Sequence, residues 1–576
     1  MKWLVGLWLL MWALRATAVV EDLAPEGGSG VFRPAEVVAD KMLVVSAHPL
    51  ASDAGLRVLE AGGSALDAAV AVQAMLTLVE PQSSGLGGGA FLLYWDARQR
   101  RAHAYDGRET APMAANEALF VRGDGEPMDF WQALVGGRAV GVPGVVRMLE
   151  VAQRQFGRLP WESLFADAIE RSRLGFEVTP RLHQSIASGI NPGLANTPSS
   201  RNYFFLDNGE PLPVGHLLRN EALARTLELI AREGADAFYT GPLAEDMVAA
   251  VRSAENPGLL SLADLAAYEA REREPLCRDF RQYEVCSMPP PTSGGVALLQ
   301  MLGLLSRFGL IDLAPESAAY AHLLTQAARL AYADRARYLA DRDHVRVPVT
   351  ALLDSAYLRE RGRLINRERD MGTAVAGELP GLAGQVGRSP ERPSTTHLVI
   401  VDAEGNALSM TSSIEMAFGS TLMVGGFLLN NQLTDFSFVA ERDGAPVANR
   451  VQPGKRPRSS MTPVIVLDSD RRLKLLLGSP GGSRIINYVT QALLANLVAG
   501  ESVQDAVSLP HVSNRNGVTE LEQGTAAEGL ADALQARGHE IKVRDLNSGL
   551  HGIERLRDGR FRSGVDPRRE GAARGR

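Results

Sequence analysis

The chain has 576 residues, 45% of them hydrophobic and 22% charged, with a formal net charge of −7. That is enough to bury one large core or several ordinary ones, and the composition is that of a folded globular protein. So modest a charge supplies neither a basic stripe for nucleic acid nor an acidic tail.

Lys2, the apolar run of residues 3–14 and Ala16-Thr17-Ala18 give a charged start, a short hydrophobic stretch and a small-residue cleavage site. The run is too short for a comfortable bilayer span. Residues 1–18 therefore read as a secretory signal peptide, with a retained anchor as the alternative, and no later stretch is long and apolar enough to span. Residues 21–33 contain Gly and Pro and read as mobile. A short strand at Met42-Leu43-Val44-Val45 leads to a helix over residues 52–60, stopped by Gly62-Gly63. Ser64 with Asp67 marks a second helix start, and the alanines of residues 65–78 let that helix lie close to a neighbour.

Gly85-Leu86-Gly87-Gly88-Gly89 precedes a strand over residues 90–95. A phosphate loop needs a following helix and Gly-Lys-Ser/Thr, neither of which is present, so the glycines read as sites of close backbone approach. After Tyr105-Asp106-Gly107, Arg108 beside Glu109 is either a surface pair or a fork offered to a carboxylate. Residues 131–330 read as mostly helical, interrupted by a rigid turn at Met288-Pro289-Pro290-Pro291-Thr292-Ser293-Gly294-Gly295. The two cysteines, Cys277 and Cys286, bracket a segment that suits a hairpin turning near Arg281-Gln282. In an oxidising compartment the hairpin favours a disulfide, and two buried thiols are the alternative. A long helix over residues 318–340 follows, then a loop over residues 367–393 that reads as flexible.

From Thr395 the pattern changes to strands, first over residues 396–402 and 407–412. A threonine that starts a strand has one notable use. If the chain is cut before it, one residue carries a hydroxyl nucleophile and an α-amine able to act as its base. The plain alternative is a Thr-rich strand. Three clusters follow: Asn430-Asn431-Gln432-Leu433-Thr434-Asp435-Phe436, then Arg456-Pro457-Arg458-Ser459-Ser460-Met461, then Gly478-Ser479-Pro480-Gly481-Gly482. The last joins a strand to a helix, and its glycines offer unhindered N–H groups suited to an oxyanion hole. The tail from Pro567 is charged and reads as disordered.

In this order and spacing these motifs, with Leu86-Gly87-Gly88-Gly89, Asp106-Gly107-Arg108-Glu109 and the Pro-rich turn upstream, strongly resemble the γ-glutamyltranspeptidases, a branch of the N-terminal-nucleophile hydrolases. The resemblance runs from about Val37 to Pro567. It implies an α+β fold, a four-layer αββα sandwich. It implies self-cleavage between Ser394 and Thr395, giving a large subunit (residues 19–394) and a small one (395–576) that form one fold as a heterodimer. Thr395 would then attack the γ-carbonyl of a γ-glutamyl compound such as glutathione. Water, or the amine of an amino acid or dipeptide, would take the acyl group.

By position, Gly481 and Gly482 would form the oxyanion hole, and Ser413 would hold the Thr395 amine. Arg108, Ser459 and Ser460 would hold the α-carboxylate. Asp435, Gln432 and Glu415 would hold the α-ammonium, although some members have Asn in place of Glu415 and many have Thr in place of Ser413. Residues 436–454 resemble the family's lid loop but lack a tyrosine, which bears on acceptor binding and on the balance of transfer against hydrolysis. The resemblance implies no cofactor and no metal, and a periplasmic or secreted location. A glutaryl (cephalosporin) acylase of the same fold is the alternative; glutaryl has no α-ammonium, so it would leave Asp435 without a partner. A secreted binding protein whose Thr395 never becomes N-terminal is a reading of another class. The ten histidines form no metal spacing and no Gly-x-Ser-x-Gly elbow appears, so metal and serine hydrolases fit poorly.

Overall fold

The computed structural model describes residues 34–379, 387 and 394–576. The signal-peptide reading, the N-terminal stretch to Arg33 and most of residues 380–393 lie outside the described residues. Two seven-stranded antiparallel sheets stand at the centre. In chain order their strands are β1 (Val38–Ala39), β2 (Leu43–Ser46), β3 (Gly89–Asp96), β4 (Arg101–Gly107), β5 (Arg271–Arg273), β6 (Leu276–Phe280), β7 (Tyr283–Ser287), β8 (Thr396–Val401), β9 (Ala407–Ser413), β10 (Val464–Leu467), β11 (Leu473–Gly478), β12 (His551–Arg555), β13 (Phe561–Val565) and β14 (Ala572–Gly575). One sheet runs β1-β13-β12-β11-β10-β7-β6 and the other β14-β2-β8-β9-β3-β4-β5.

Side-chain alternation explains why the second sheet is buried on both faces. Val44, Leu92, Leu398, Ile400 and Leu408 pack with helices α1 (Pro49–Glu60) and α2 (Ala65–Val79). Their neighbours Val45, Phe91, Leu93, Val399 and Val401 join Val464, Val466 and Leu475 of the first sheet. That cluster continues into helices α3 (Gly294–Leu305), α4 (Ala318–Tyr338) and α5 (Ile485–Leu494). The result is the four-layer αββα sandwich. Every residue of α2 is buried, which accounts for its alanines, and a Ser64–Asp67 capping box closes its N-terminus. Among the described residues no helix is long and apolar enough to cross a membrane.

The sheet sets the position of Thr395. Thr396 of β8 pairs with Ser412 of β9, and Ser413 pairs with Gly89 of β3. Thr395 therefore lies beside Ser413 at the end of two central strands. The glycines before β3 do allow close approach. A Cβ on Gly88 would sit 2.1 Å from the Ser413 carbonyl oxygen, and one on Gly87 would sit 2.1 Å from that of Leu428.

Two expectations need correction. The tail from Pro567 is ordered. β14 adds an edge strand beside β2, and Arg568 and Arg569 are buried. Its charges suggest disorder only when read without partners; Arg568 is bonded to Glu522, Arg574 to Asp53 and Arg576 to Glu60. The described part of the 367–393 loop is also packed down. Ala376 and Leu379 are buried, and Gly377 donates its N–H to Asp334. Cys277 and Cys286 pair across the β6–β7 hairpin, and their sulfurs are bonded.

Candidate active site

Thr395, Ser413, Glu415, Arg108, Asp435, Ser459, Ser460 and Gly482 line one pocket, together with Met461 and Ile485. Eight of the ten residues expected in the catalytic and substrate-binding groups thus converge on a single cavity. Gly481 adjoins Gly482 in the chain, and Gln432 is hydrogen-bonded to Glu415 and Asp435.

At Thr395, the hydroxyls form a relay. Thr395 Oγ1 donates to Ser413 Oγ over 3.5 Å, and Ser413 Oγ donates to the Ser394 carbonyl over 2.8 Å. The Glu415 N–H donates to the same Ser413 oxygen at 2.8 Å. Glu415 reaches that position through a left-handed backbone, with φ 74°. Ser413 thus touches both the Thr395 hydroxyl and the carbonyl of the bond expected to break. Ser394 is fixed in turn by its own hydroxyl, which donates to Gln82 O at 2.6 Å. Arg569 donates to the Thr395 carbonyl at 3.3 Å.

The charged wall begins with Arg108, which follows β4 directly and is fully buried. Its guanidinium donates to the carbonyls of Pro457 and Arg458 and to Asp435 Oδ2, the last at 2.5 Å. Burial works against the charge, but Asp435, Glu109 and Glu415 outweigh it and hold Arg108 above its usual value. Gln432 bridges the two carboxylates, donating to Glu415 at 2.5 Å and to Asp435 at 2.8 Å. The short turn Gln432–Asp435 is anchored by Asn430, whose side chain bonds Gly87 O and both backbone groups of Gly141. Glu109 lies beneath Arg108, 3.6 Å from its Nη1, and burial pushes its carboxyl up to about 8.

The Pro-rich turn has a visible task. Thr292 bridges to Ser459, the Ser293 hydroxyl and N–H both bond Ser459 O, and Thr292 Oγ1 donates to Met461 O. These bonds set the course of Ser459-Ser460-Met461 along the pocket. Opposite, β11 ends at Gly478, where the second sheet comes so close that a Cβ would lie 2.2 Å from the His397 ring. The chain then turns through Gly481 (φ 131°) and Gly482 (φ 58°) into α5. His397 itself lies buried between the sheets, bonded to Thr411.

Sequence reasoning missed Arg335, which donates to Ser460 Oγ at 2.7 Å, and Tyr332, which donates to Ser483 O. It also missed Glu109 as a buried carboxyl and Arg569 as a contact of Thr395. Among the described residues, the grouping that could offer metal donors is Cys277, Glu284 and Cys286, and both of its sulfurs are taken up by the disulfide.

The profile of the family described as gamma-glutamyltranspeptidase matches residues 51–576. The glutathione hydrolase proenzyme of Bacillus subtilis (strain 168) is 36% identical over 559 residues, covering 94% of this chain and 92% of that protein. The acylase ACY 1 proenzyme of Pseudomonas sp. (strain SE83) is 37% identical over 511 residues, covering 87% of each. Among solved structures, the cephalosporin acylase of Bacillus halodurans superposes with a TM-score of 0.83 at 27% identity. It covers 96% of this chain and 99% of its own.

Proposed function

The chain belongs to the gamma-glutamyltranspeptidase family, and from that premise we propose that it is a self-cleaving γ-glutamyltransferase and glutathione hydrolase. The observation that carries the reading is the pairing of Arg108 with Asp435 on the wall of the Thr395 pocket. The α-carbon of a γ-glutamyl group bears a carboxylate and an ammonium. A zwitterion of that kind can displace the pair, taking Arg108 with its carboxylate and Asp435 with its ammonium. A buried polar site of this type rejects analogues that leave one of its groups unmatched.

Maturation comes first. Thr395 Oγ attacks the Ser394 carbonyl, whose oxygen Ser413 already holds at 2.8 Å. The acyl group passes from nitrogen to oxygen, and water hydrolyses the ester. Residues 19–394 and 395–576 then form the two subunits, and Thr395 gains its α-amine. In catalysis that amine takes the hydroxyl proton as Thr395 attacks the γ-carbonyl. The N–H groups of Gly481 and Gly482 receive the developing oxyanion, and Ser459 and Ser460 help Arg108 hold the α-carboxylate. The leaving amine departs with a proton. The γ-glutamyl ester on Thr395 then passes to water or to the amine of an amino acid or dipeptide. Residues 1–18 would send the precursor to the periplasm or out of the cell, where an oxidised Cys277–Cys286 pair is at home.

A second reading, hydrolysis of a glutaryl amide, is favoured by the relative named as an acylase and by the cephalosporin acylase structure. Glutaryl is γ-glutamyl without its ammonium. It would bring no ammonium to Glu415 and Asp435. Comparing kcat/KM for γ-glutamyl and glutaryl anilides decides between the two. A γ-glutamyl preference supports the proposal, and a glutaryl preference replaces it with the second reading.

A further inference from the structure

Two residues of the large-subunit helix α4 reach the pocket's two ends from behind. Tyr332 and Arg335 are three positions apart, hence on one face, and both are buried. The Arg335 guanidinium forks. Nη2 donates to Ser460 Oγ at 2.7 Å, and Nε donates to Ser293 Oγ at 2.7 Å. Ser293 Oγ in turn donates a hydrogen bond to Ser459 O at 2.6 Å. Tyr332 Oη receives the Asn487 side-chain N–H and donates to the carbonyl of Ser483, the residue after Gly482.

Arginine has donors and no acceptor. In its bond with Arg335, Ser460 must therefore be the acceptor, which leaves its O–H in the donor role that a substrate carboxylate requires. A neighbouring cation also polarises that hydroxyl, and bonds to ionised groups are the stronger ones. Tyr332 acts at the other end. By fixing Ser483 O it fixes the peptide after Ser483, in the short helical turn Gly482–Arg484 that the two glycines open, and so holds the far end of the turn meant to bind the oxyanion.

We propose that Arg335 and Tyr332 are positioning residues that divide the work: Arg335 sets selectivity for the substrate's carboxylate through Ser460, and Tyr332 sets the rate through the Gly481-Gly482 turn. The inference rests on the γ-glutamyl reading for the identity of the substrate and not for the division itself.

The test uses mature, cleaved enzyme and three acyl anilides: γ-glutamyl, glutaryl and 4-aminobutyryl, the last being γ-glutamyl without its carboxylate. Arg335→Gln should lower the γ-glutamyl to 4-aminobutyryl ratio of kcat/KM about tenfold, mainly by raising KM for the γ-glutamyl donor. Ser460→Ala should lower the same ratio, and Ser460→Ala/Arg335→Gln should lower it no further, because one residue acts through the other. Arg335→Lys, which keeps the cation but cannot fork, should restore part of the ratio. Tyr332→Phe should lower kcat for both donors alike while each KM and the melting temperature stay at the wild-type values; an unchanged kcat, or a fall in kcat matched by a fall in melting temperature, overturns its part. An unchanged ratio in Arg335→Gln, or fully additive effects in the double variant, overturns the proposal, since a merely structural Arg335 would reduce both donors equally. If the wild type instead prefers the glutaryl anilide, the γ-glutamyl reading fails on its own, and the Arg335 test is read from glutaryl against butyryl anilide with the same expected drop.

Discussion

Arg108 and Asp435 are bonded to each other at 2.5 Å across the pocket wall, 327 residues apart in sequence. The site thus pairs one of its cations with one of its anions, and a substrate must supply both signs to replace that bond. Asp435→Asn should lower kcat/KM for a γ-glutamyl anilide by at least about a hundredfold, mostly through KM. The same change removes a carboxylate that competes for Arg108, so the glutaryl anilide should gain. Steady-state kinetics on the two anilides check this, and a parallel loss on both would show that Asp435 serves only to hold Arg108 in place.

Ser413 accepts from Thr395 and donates to the Ser394 carbonyl. In the self-cleavage proposed above, it stands where negative charge would develop as Thr395 attacks. Losing one such donor costs about 10²–10³ in rate. Ser413→Ala should slow the conversion of precursor into two chains by that order, and Ser413→Thr, which keeps the hydroxyl, should mature normally. A gel time course of purified precursor reads both, and N-terminal sequencing of the small chain should begin Thr-Thr-His-Leu. Fast maturation of Ser413→Ala would move the oxyanion contact to some other group.

Glu109 gives stability a distinct dependence on pH. Its carboxyl rises from an ordinary value of 4.5 to about 8, first because it is buried, with Arg108 opposing. The folded state therefore holds a proton that the unfolded state has already released. The stability it contributes is full below about 4.5 and is lost as pH rises towards 8, with a limiting slope of about 1.4 kcal/mol per pH unit. Lys455, lowered to about 7 by burial, acts in the opposite sense between about 7 and 10.5. Denaturation from pH 5 to 8 should show a shallower fall for Glu109→Gln than for the wild type. Matching slopes would mean that Glu109 is ionised throughout.

That Thr395, Gly482 and the polar residues around Arg108 and Asp435 gather at one pocket was legible in the sequence because each lies in a short run of unusual residues, and together these runs resemble one family. Asn430 to Asp435 and Pro457 to Met461 are dense in polar groups beside strands, a pattern that core packing alone does not produce. Arg335 carries no such mark. It stands in Ala-Asp-Arg-Ala-Arg-Tyr near the end of a long helix, where Arg335 and Arg337 look alike. Only the fold separates them: Arg335 is buried against Ser293 and Ser460, whereas Arg337 pairs with an exposed Glu378. Glu109 was read only as a neighbour of Arg108, since burial of a charged residue is set by long-range packing. The tail was misread for the same reason. Its charge suggested solvent, but its partners at Asp53, Glu60 and Glu522 lie 46 to 521 positions away.

That tail supports the last prediction. β14 hydrogen-bonds along β2, which itself pairs with β8, the strand that begins next to Thr395. Arg569 reaches the Thr395 carbonyl directly, and Arg568 is buried against Glu522 and Asp566. Deleting residues 568–576 removes the cations and leaves two buried carboxylates short of a partner. Breaking a buried pair in this way costs about 3–5 kcal/mol, and the edge strand is lost as well. The truncated precursor should melt at least about 5 °C lower and mature more slowly, because β2, which flanks the strand next to Thr395, loses its outer neighbour. Arg576→Ala is the control. Its ion pair with Glu60 is largely exposed and worth under about 1 kcal/mol, so melting and maturation should stay close to wild type. A truncated chain that melts and matures as the full one does would return the tail to the passive role that its composition suggests.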